Sequence, residues 1–266
     1  MPLRIGFDMD GVLADFNRSF HDVEVGLFGT ESRTGAGEPG REEENQETNA
    51  RRAEDLGARE RARAVQDALA GLDDYESEKI PVASKAVGGR RAPVGEARRR
   101  RDAVWQTIQA TSNFWVTLQP IDRAAVRRIH QMMLSHGWEV FFITQRPKTD
   151  GETVQRQTQR WLVAQGFDLP SVLVLAGSRG AAAGALRLDY LVDDSAQNCL
   201  DVLADSRAKP LLIVPDGDGP TIASARKLGI GTARSIGDCL DILEKATVAR
   251  RQPGLLQRLA SFVGWR

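Results

Sequence analysis

Leu3 to Asp10 reads LRIGFDMD, and Gly11-Val12 follows it. A short apolar run that ends in two carboxylates and a glycine is a buried strand delivering acids to its carboxyl end. Side chains alternate along an extended strand, so Asp8 and Asp10 share one side if extension continues to the tip. Gly11 permits a tight turn that brings backbone N–H groups toward an anion. Working outward, the same pattern recurs. Trp138 to Thr144 (WEVFFIT) is a β-branched and aromatic strand, and SVLVLAG (Ser171 to Gly177), LDYLVDD (Leu188 to Asp194) and LLIVPDG (Leu211 to Gly217) are three more. Between them, Ile121 to His136 shows helical spacing through Val126, Ile129, Met133 and Leu134, with Gly137 as its stop, and Thr153 to Gln165 is helical again. Short apolar strands separated by helices predict an α/β protein with a Rossmann-like parallel sheet covered on both faces. Ligands of such sheets sit beyond the carboxyl ends of the strands.

The polar residues cluster at those ends. The first strand ends in Asp8 and Asp10, the second in Thr144-Gln145-Arg146-Pro147, and a later one in Asp193-Asp194-Ser195. Four carboxylates at one sheet edge repel one another unless a cation neutralises them, and oxygen-only ligands suit Mg²⁺. Thr144 offers a hydroxyl, and its neighbours backbone donors, for a phosphate oxygen.

The remaining sequence bounds the function. The chain has 266 residues, with 36 basic and 36 acidic side chains. At about 150 residues per domain this length allows one large domain, or one domain with an insertion. Charge neutrality argues against an electrostatically driven nucleic-acid binder. Two cysteines, Cys199 and Cys239, are too few for a disulfide framework and fit a reducing compartment. No apolar run approaches the ~20 residues that cross a bilayer, and acids interrupt the N-terminus where a signal peptide would stay apolar. A cytoplasmic protein is the expectation.

Composition divides the chain. Residues 31–102 hold 31 charged side chains in 72 positions, against 41 in the other 194, and their only aromatic is Tyr75. Such a stretch buries too little apolar surface to offset its ordering entropy. Residues 29–103 are therefore expected to form a charged insertion, largely disordered or solvated helix, between two parts of a core at 1–28 and 104–245. Residues 246–266 form a tail in which Leu255, Leu256, Leu259, Phe262 and Val263 lie at helical spacing, an amphipathic helix suited to docking on protein. The insertion and the tail are the candidate surfaces for a homo-oligomer or a partner.

FDMDGVLADF (Phe7 to Phe16), FFITQRP (Phe141 to Pro147) and LDYLVDDS (Leu188 to Ser195) resemble the first, second and fourth motifs of the haloacid dehalogenase superfamily of hydrolases. With NFWVTLQPI (Asn113 to Ile121), the context is similar to the 5′(3′)-deoxyribonucleotidase branch. The resemblance covers residues 1–28 and roughly 104–245. It implies a small helical cap after the first strand and roles residue by residue. Asp8 is the nucleophile that forms an aspartyl-phosphate, and Asp10 is the general acid and base. Asp8, Asp193 and Asp194 hold Mg²⁺ together with Asp10 through its carbonyl oxygen. Thr144 hydrogen-bonds the phosphoryl group, with Gln145 and Arg146 on the substrate side. Trp115 and Phe114 lie against the base of a nucleoside monophosphate.

The third motif departs from the family. AGSRGAAAGALRLDY (Ala176 to Tyr190) carries Arg179 where the family has lysine, with Lys148 as the fallback cation. Arginine binds phosphate bidentately but is not a compact point charge. The reading is thus a Mg²⁺-dependent phosphatase of nucleoside monophosphates. Its alternatives are a phosphatase of a sugar phosphate or other small metabolite, and a non-catalytic phosphate-binding module.

Overall fold

The computed structural model describes residues 2–29, 94–215 and 218–251. The charged stretch at 30–93 and the tail at 252–266 lie outside the described residues. Among the described residues the elements are, in chain order, β1 (Arg4–Asp8), α1 (Phe16–Phe28), α2 (Val94–Ala110), a 3-10 turn (Phe114–Val116), α3 (Arg123–His136), β2 (Glu139–Thr144), α4 (Val154–Ala164), β3 (Ser171–Val174), α5 (Arg179–Ala185), β4 (Tyr190–Asp193), α6 (Ala196–Asp205), β5 (Lys209–Ile213), α7 (Gly219–Lys227), β6 (Gly231–Ala233) and α8 (Ile236–Arg251). The strands form one parallel sheet in the order β3-β2-β1-β4-β5-β6.

Strand alternation shows why the sheet is covered on both sides. Ile5, Phe7, Phe142 and Val192 enter one buried cluster, beneath Val126 of α3, Trp161 of α4 and Leu243 of α8. Ile143 and Leu191, one residue out of phase, enter another with Ala183 of α5 and Val202 of α6. A strand buried on both faces needs continuous apolar sequence, and these four-to-six-residue runs supply it. Gly6 fits the second face because a Cβ there would stand 2.8 Å from Leu188 Cδ1.

The chain runs outward from β1 to β2 and β3 on one side, then returns to β4 and runs to β5 and β6 on the other. The order reverses between β1 and β4, the topological switch point, where doubly wound sheets open a crevice at their carboxyl ends. Register carries the polar residues there. Asp8 pairs with Ile143, one residue short of Thr144. Phe7 pairs with Val192, so Asp8 and Asp193 stand at the same level on adjacent strands.

Four expectations shift. The helix that re-enters the core begins at Val94, so residues 94–103 of the charged stretch are helical and continuous with 104–110. The last helix likewise continues through residue 246 to Arg251. A sixth strand, Gly231–Ala233, escaped notice because three small residues carry no apolar run. In α3 the buried face runs through Val126, Ile129 and Met132, while Leu134 is exposed. Among the described residues no helix is long and apolar enough to cross a membrane.

α1 and α2 pair beside the switch point. Val104 and Ile108 of α2 are fully buried, and Trp105 stacks on Phe16 of α1 at 5.5 Å with the rings 26° from parallel. The segment that follows is stitched to the first loop: the Asp15 N–H donates to the Gln119 carbonyl (2.8 Å) and the Ile121 N–H to the Leu13 carbonyl (2.9 Å). This pair of helices stands where the resemblance leads one to expect a small cap.

Candidate active site

The loop after β1 is a tight turn. Leu13 and Ala14 donate their N–H groups to the Met9 carbonyl (2.9 and 2.8 Å), and Gly11 sits at φ +80°. A side chain there would be strained by the backbone, and a Cβ would stand 2.1 Å from Asp194 Oδ2. Gly11 therefore lets the β4 loop close over the β1 loop.

Asp8, Asp193 and Asp194 form a cluster in which one carboxylate oxygen from each lies within 4.8 Å of the others. Asp193 is fully buried and held by the loop beyond it: its Oδ1 accepts from the Ser195 N–H (2.8 Å), and Asn198 Nδ2 donates to both carboxylate oxygens (3.0 and 3.1 Å). Asn198 escaped the sequence reading. Its signal is a polar side chain in the first turn of α6, five residues after Asp193. Burial, with Asp193 beside it, pushes the Asp8 carboxyl well above the usual carboxylate range; Arg179 opposes that shift, and Asp194 and Asp10 add to it. Three hard oxygen donors that cannot comfortably ionise together are a suitable nest for a divalent cation of the Mg²⁺ type.

Of the two third-motif candidates, Arg179 is the one that stands beside the acids. It is buried, its Nη2 donates to Asp8 Oδ1, and its Nε lies 3.5 Å from Asp193 Oδ2. Its Nε and Nη1 make no hydrogen bond among the described residues. A buried guanidinium with two unmet donors facing a carboxylate cluster is chemically matched to a tetrahedral oxyanion. Lys148 is exposed and lines no part of the cleft.

Local packing puts Arg179 there. Ser178 caps α5, accepting from the Gly180 and Ala181 N–H groups (3.0 and 3.2 Å). Gly180 lies so close to α6 that a Cβ would stand 1.9 Å from the Asp201 carbonyl oxygen. Gly180→Ala must push α5 off α6, an overpacking cost of about 2–3 kcal/mol. The expected result is a melting temperature lowered by about 4–12 °C and weaker phosphate binding, because Arg179 shifts with the helix. Unchanged melting by calorimetry would show that α5 yields freely.

Asp10 does not join the acidic cluster through its carboxylate. Arg146 grips it with a fork, Nε to Oδ2 at 2.8 Å and Nη2 to Oδ1 at 2.7 Å, and the Thr144 hydroxyl lies 3.5 Å from Oδ2. Asp10 still lines the cleft with its side chain one-quarter exposed, and the expected contact of its carbonyl oxygen with the cation does not use this carboxylate. Arg146, expected on the substrate side, has a fully buried side chain and a third contact, Nη1 to Thr158 Oγ1 at 3.0 Å. Gln145 is exposed at the rim, and its side chain donates to the Gly177 carbonyl (3.2 Å).

The aromatic expectations divide. Phe114 is buried in the core and does not line the cleft. Trp115 borders the cleft but is buried, with its indole N–H on the Pro147 carbonyl (3.0 Å) and its ring 4.9 Å from the Arg146 guanidinium carbon. Both of its recognition features are used inside the protein, so it is a supporting wall. Trp105 and Phe16, from the cap, are the other aromatic rings on the cleft.

The cleft holds about 310 Å³ and joins Asp8, Asp10, Arg179 and Asp194 to Trp105 and Asn17. A larger cavity of about 910 Å³ lies at the other end of the sheet, between Leu3, Tyr190, Arg207 and Arg250. It holds none of the acids above. In a parallel sheet the carboxyl ends carry the ligand site, so the smaller cleft is the candidate.

No protein-family model matches the chain, and no curated protein does so. Solved structures with some likeness include a hydrolase of the haloacid dehalogenase-like family from Streptococcus pneumoniae (13% identity, 91% of this chain and 98% of that one, TM-score 0.45). A hydrolase from Pseudomonas syringae gives 13% identity over 92% and 98%, TM-score 0.44. A 2-haloacid dehalogenase from Pseudomonas syringae pv. Tomato gives 13% over 94% and 99%, TM-score 0.38. Likenesses this distant carry no argument about chemistry, and the site's own geometry must supply it.

Proposed function

We propose that the chain is a Mg²⁺-dependent phosphomonoesterase of the haloacid dehalogenase superfamily that hydrolyses nucleoside monophosphates. One observation carries the reading: buried Arg179, with two unmet donors, faces Asp8 where the strand order reverses, beside Asp193 and Asp194. An anion-seeking cation next to a carboxylate cluster is wasteful in a structural core and useful around a phosphoryl group.

Asp8, Asp193 and Asp194 would hold the cation, whose charge screens the acids from an incoming phosphate. Arg179 then offers the phosphoryl oxygens the N–H groups of Nη1 and Nε, which make no hydrogen bond among the described residues. Asp8 attacks phosphorus as the bond to the ester oxygen breaks, and Asp10 gives its proton to that oxygen, releasing an alcohol. Water next attacks the aspartyl-phosphate and gives a proton to Asp10, the phosphorus–Asp8 bond breaks, and inorganic phosphate leaves. Both acids return to their starting state.

A panel of phosphate esters, scored by released phosphate with Mg²⁺ and with chelator, tests the reading. Hydrolysis that needs the cation and favours nucleoside monophosphates supports it; no hydrolysis of any ester overturns it. The preference for a base rests on the cap. Trp105 is half-buried on the cleft wall and stacked on Phe16, and stacking on such a surface is worth about 1–3 kcal/mol per base, roughly tenfold to hundredfold. Trp105→Ala should therefore raise KM for nucleoside monophosphates about tenfold or more while sparing acetyl phosphate. Equal losses on both substrates would favour a sugar phosphate or another small metabolite.

A further inference from the structure

We infer that Arg146 is a positioning residue for Asp10 and not a ligand of the substrate phosphate, an inference that rests on the phosphatase reading above. The two residues are 136 positions apart, and Arg146 reaches Asp10 with a two-pronged fork of 2.7 and 2.8 Å. A carboxylate held through both oxygens by a planar guanidinium cannot rotate about its own axis.

The guanidinium is itself fixed from every side. Thr158 Oγ1 accepts from its remaining arm (3.0 Å), and the Trp115 ring lies 4.9 Å from its central carbon. Trp115 is in turn locked: its backbone N–H donates to Gln157 Oε1 (3.1 Å) and its indole N–H to the Pro147 carbonyl (3.0 Å). Gln157 is tied to Thr149 (2.9 Å) and to the Glu152 carbonyl (2.6 Å). The Arg146 side chain has no exposure at all, whereas Asp10 is one-quarter exposed and borders the cleft. Arg146 also lines the cleft, but with a side chain that has no exposure its guanidinium reaches the cleft through Asp10.

Positioning matters most where Asp10 does most. Protonation of the leaving oxygen is worth about 10²–10⁴-fold and grows with the basicity of the leaving group. Displacement of a reacting group by about 1 Å costs on the order of 10²-fold. Loss of the clamp should therefore hurt esters of poor leaving groups and spare esters that depart unaided.

The test is kcat/KM, which reports formation of the aspartyl-phosphate, for wild type, Arg146→Ala and Arg146→Lys. The substrates are 2,4-dinitrophenyl phosphate, phenyl phosphate and an alkyl phosphate. The expected result for Arg146→Ala is a loss of about 100-fold on the alkyl ester and under about 3-fold on the dinitrophenyl ester. Arg146→Lys keeps the charge but loses the fork, so it should show the same steepening at smaller amplitude, and it covers the case in which Arg146→Ala fails to fold. A uniform loss across the series, whether from weaker phosphate binding or from a smaller folded fraction, overturns the inference while the phosphatase reading stands. No turnover of any ester by wild type removes both.

Discussion

Arg179→Ala is expected to lose both the activity and part of the fold. Arg179 is buried against Asp8 and Asp193, so its removal leaves two carboxylates desolvated without their cation. Breaking a buried pair costs about 3–5 kcal/mol, and the lower figure applies because Asp8 can shed charge by taking up a proton. A melting temperature about 6–12 °C below wild type in chelator follows. Mg²⁺ should restore part of this stability, since it neutralises the same carboxylates, but not the turnover, which should stay about 10³-fold down without donors for the phosphoryl oxygens. Arg179→Lys should fall between the two. A variant that melts with wild type and turns over normally, beside an inactive Lys148→Ala, would transfer the role to Lys148.

Asp8→Asn has the opposite signature. An amide is not a nucleophile, so turnover should fall by about 10³-fold or more. Stability in chelator should hold or rise. Burial beside Asp193 raises the Asp8 carboxyl above its ordinary 3.8, so the metal-free fold prefers it protonated. The stability that Asp8 contributes is complete below that ordinary value and is lost as pH rises through the raised folded-state value. Asn mimics the protonated form at every pH. The pH dependence of melting in chelator should therefore flatten in Asp8→Asn, and the stabilisation by Mg²⁺ should shrink with the loss of one ligand. Thermal melts across pH 4–8 read both effects (about four pH values suffice, given the breadth of a carboxyl titration). A variant several degrees less stable than wild type at neutral pH would mean that Asp8 serves the fold, and residual turnover near wild type would remove it from the chemistry.

These expectations divide by where their evidence lives. The strands at Arg4–Asp8, Glu139–Thr144 and Tyr190–Asp193 were legible because a strand buried on both faces must be locally apolar, and the acids at their ends break that pattern in place. Local chemistry of this kind suffices to bring Asp8, Thr144, Asp193 and Asp194 to one sheet edge. Gly231–Ala233 was not legible, because its strand state comes from pairing with Leu211–Ile213 and not from its own side chains.

Side-chain partnerships were beyond reach of any local pattern. Nothing near Arg146 in sequence says that its fork closes on Asp10, that Trp115 faces the guanidinium, or that Phe114 next to it points into the core. Sequence made Arg179 the first candidate and Lys148 the fallback, but only the docking of α5 on α6 through Gly180 brings Arg179 to Asp8. Local sequence determined which residues stand at the carboxyl ends, since strand periodicity repeats within a few residues. Only tertiary structure decided which of them face the cleft and which hold the others in place, since the contacts of Arg146 with Asp10 and of Arg179 with Asp8 join positions more than a hundred residues apart.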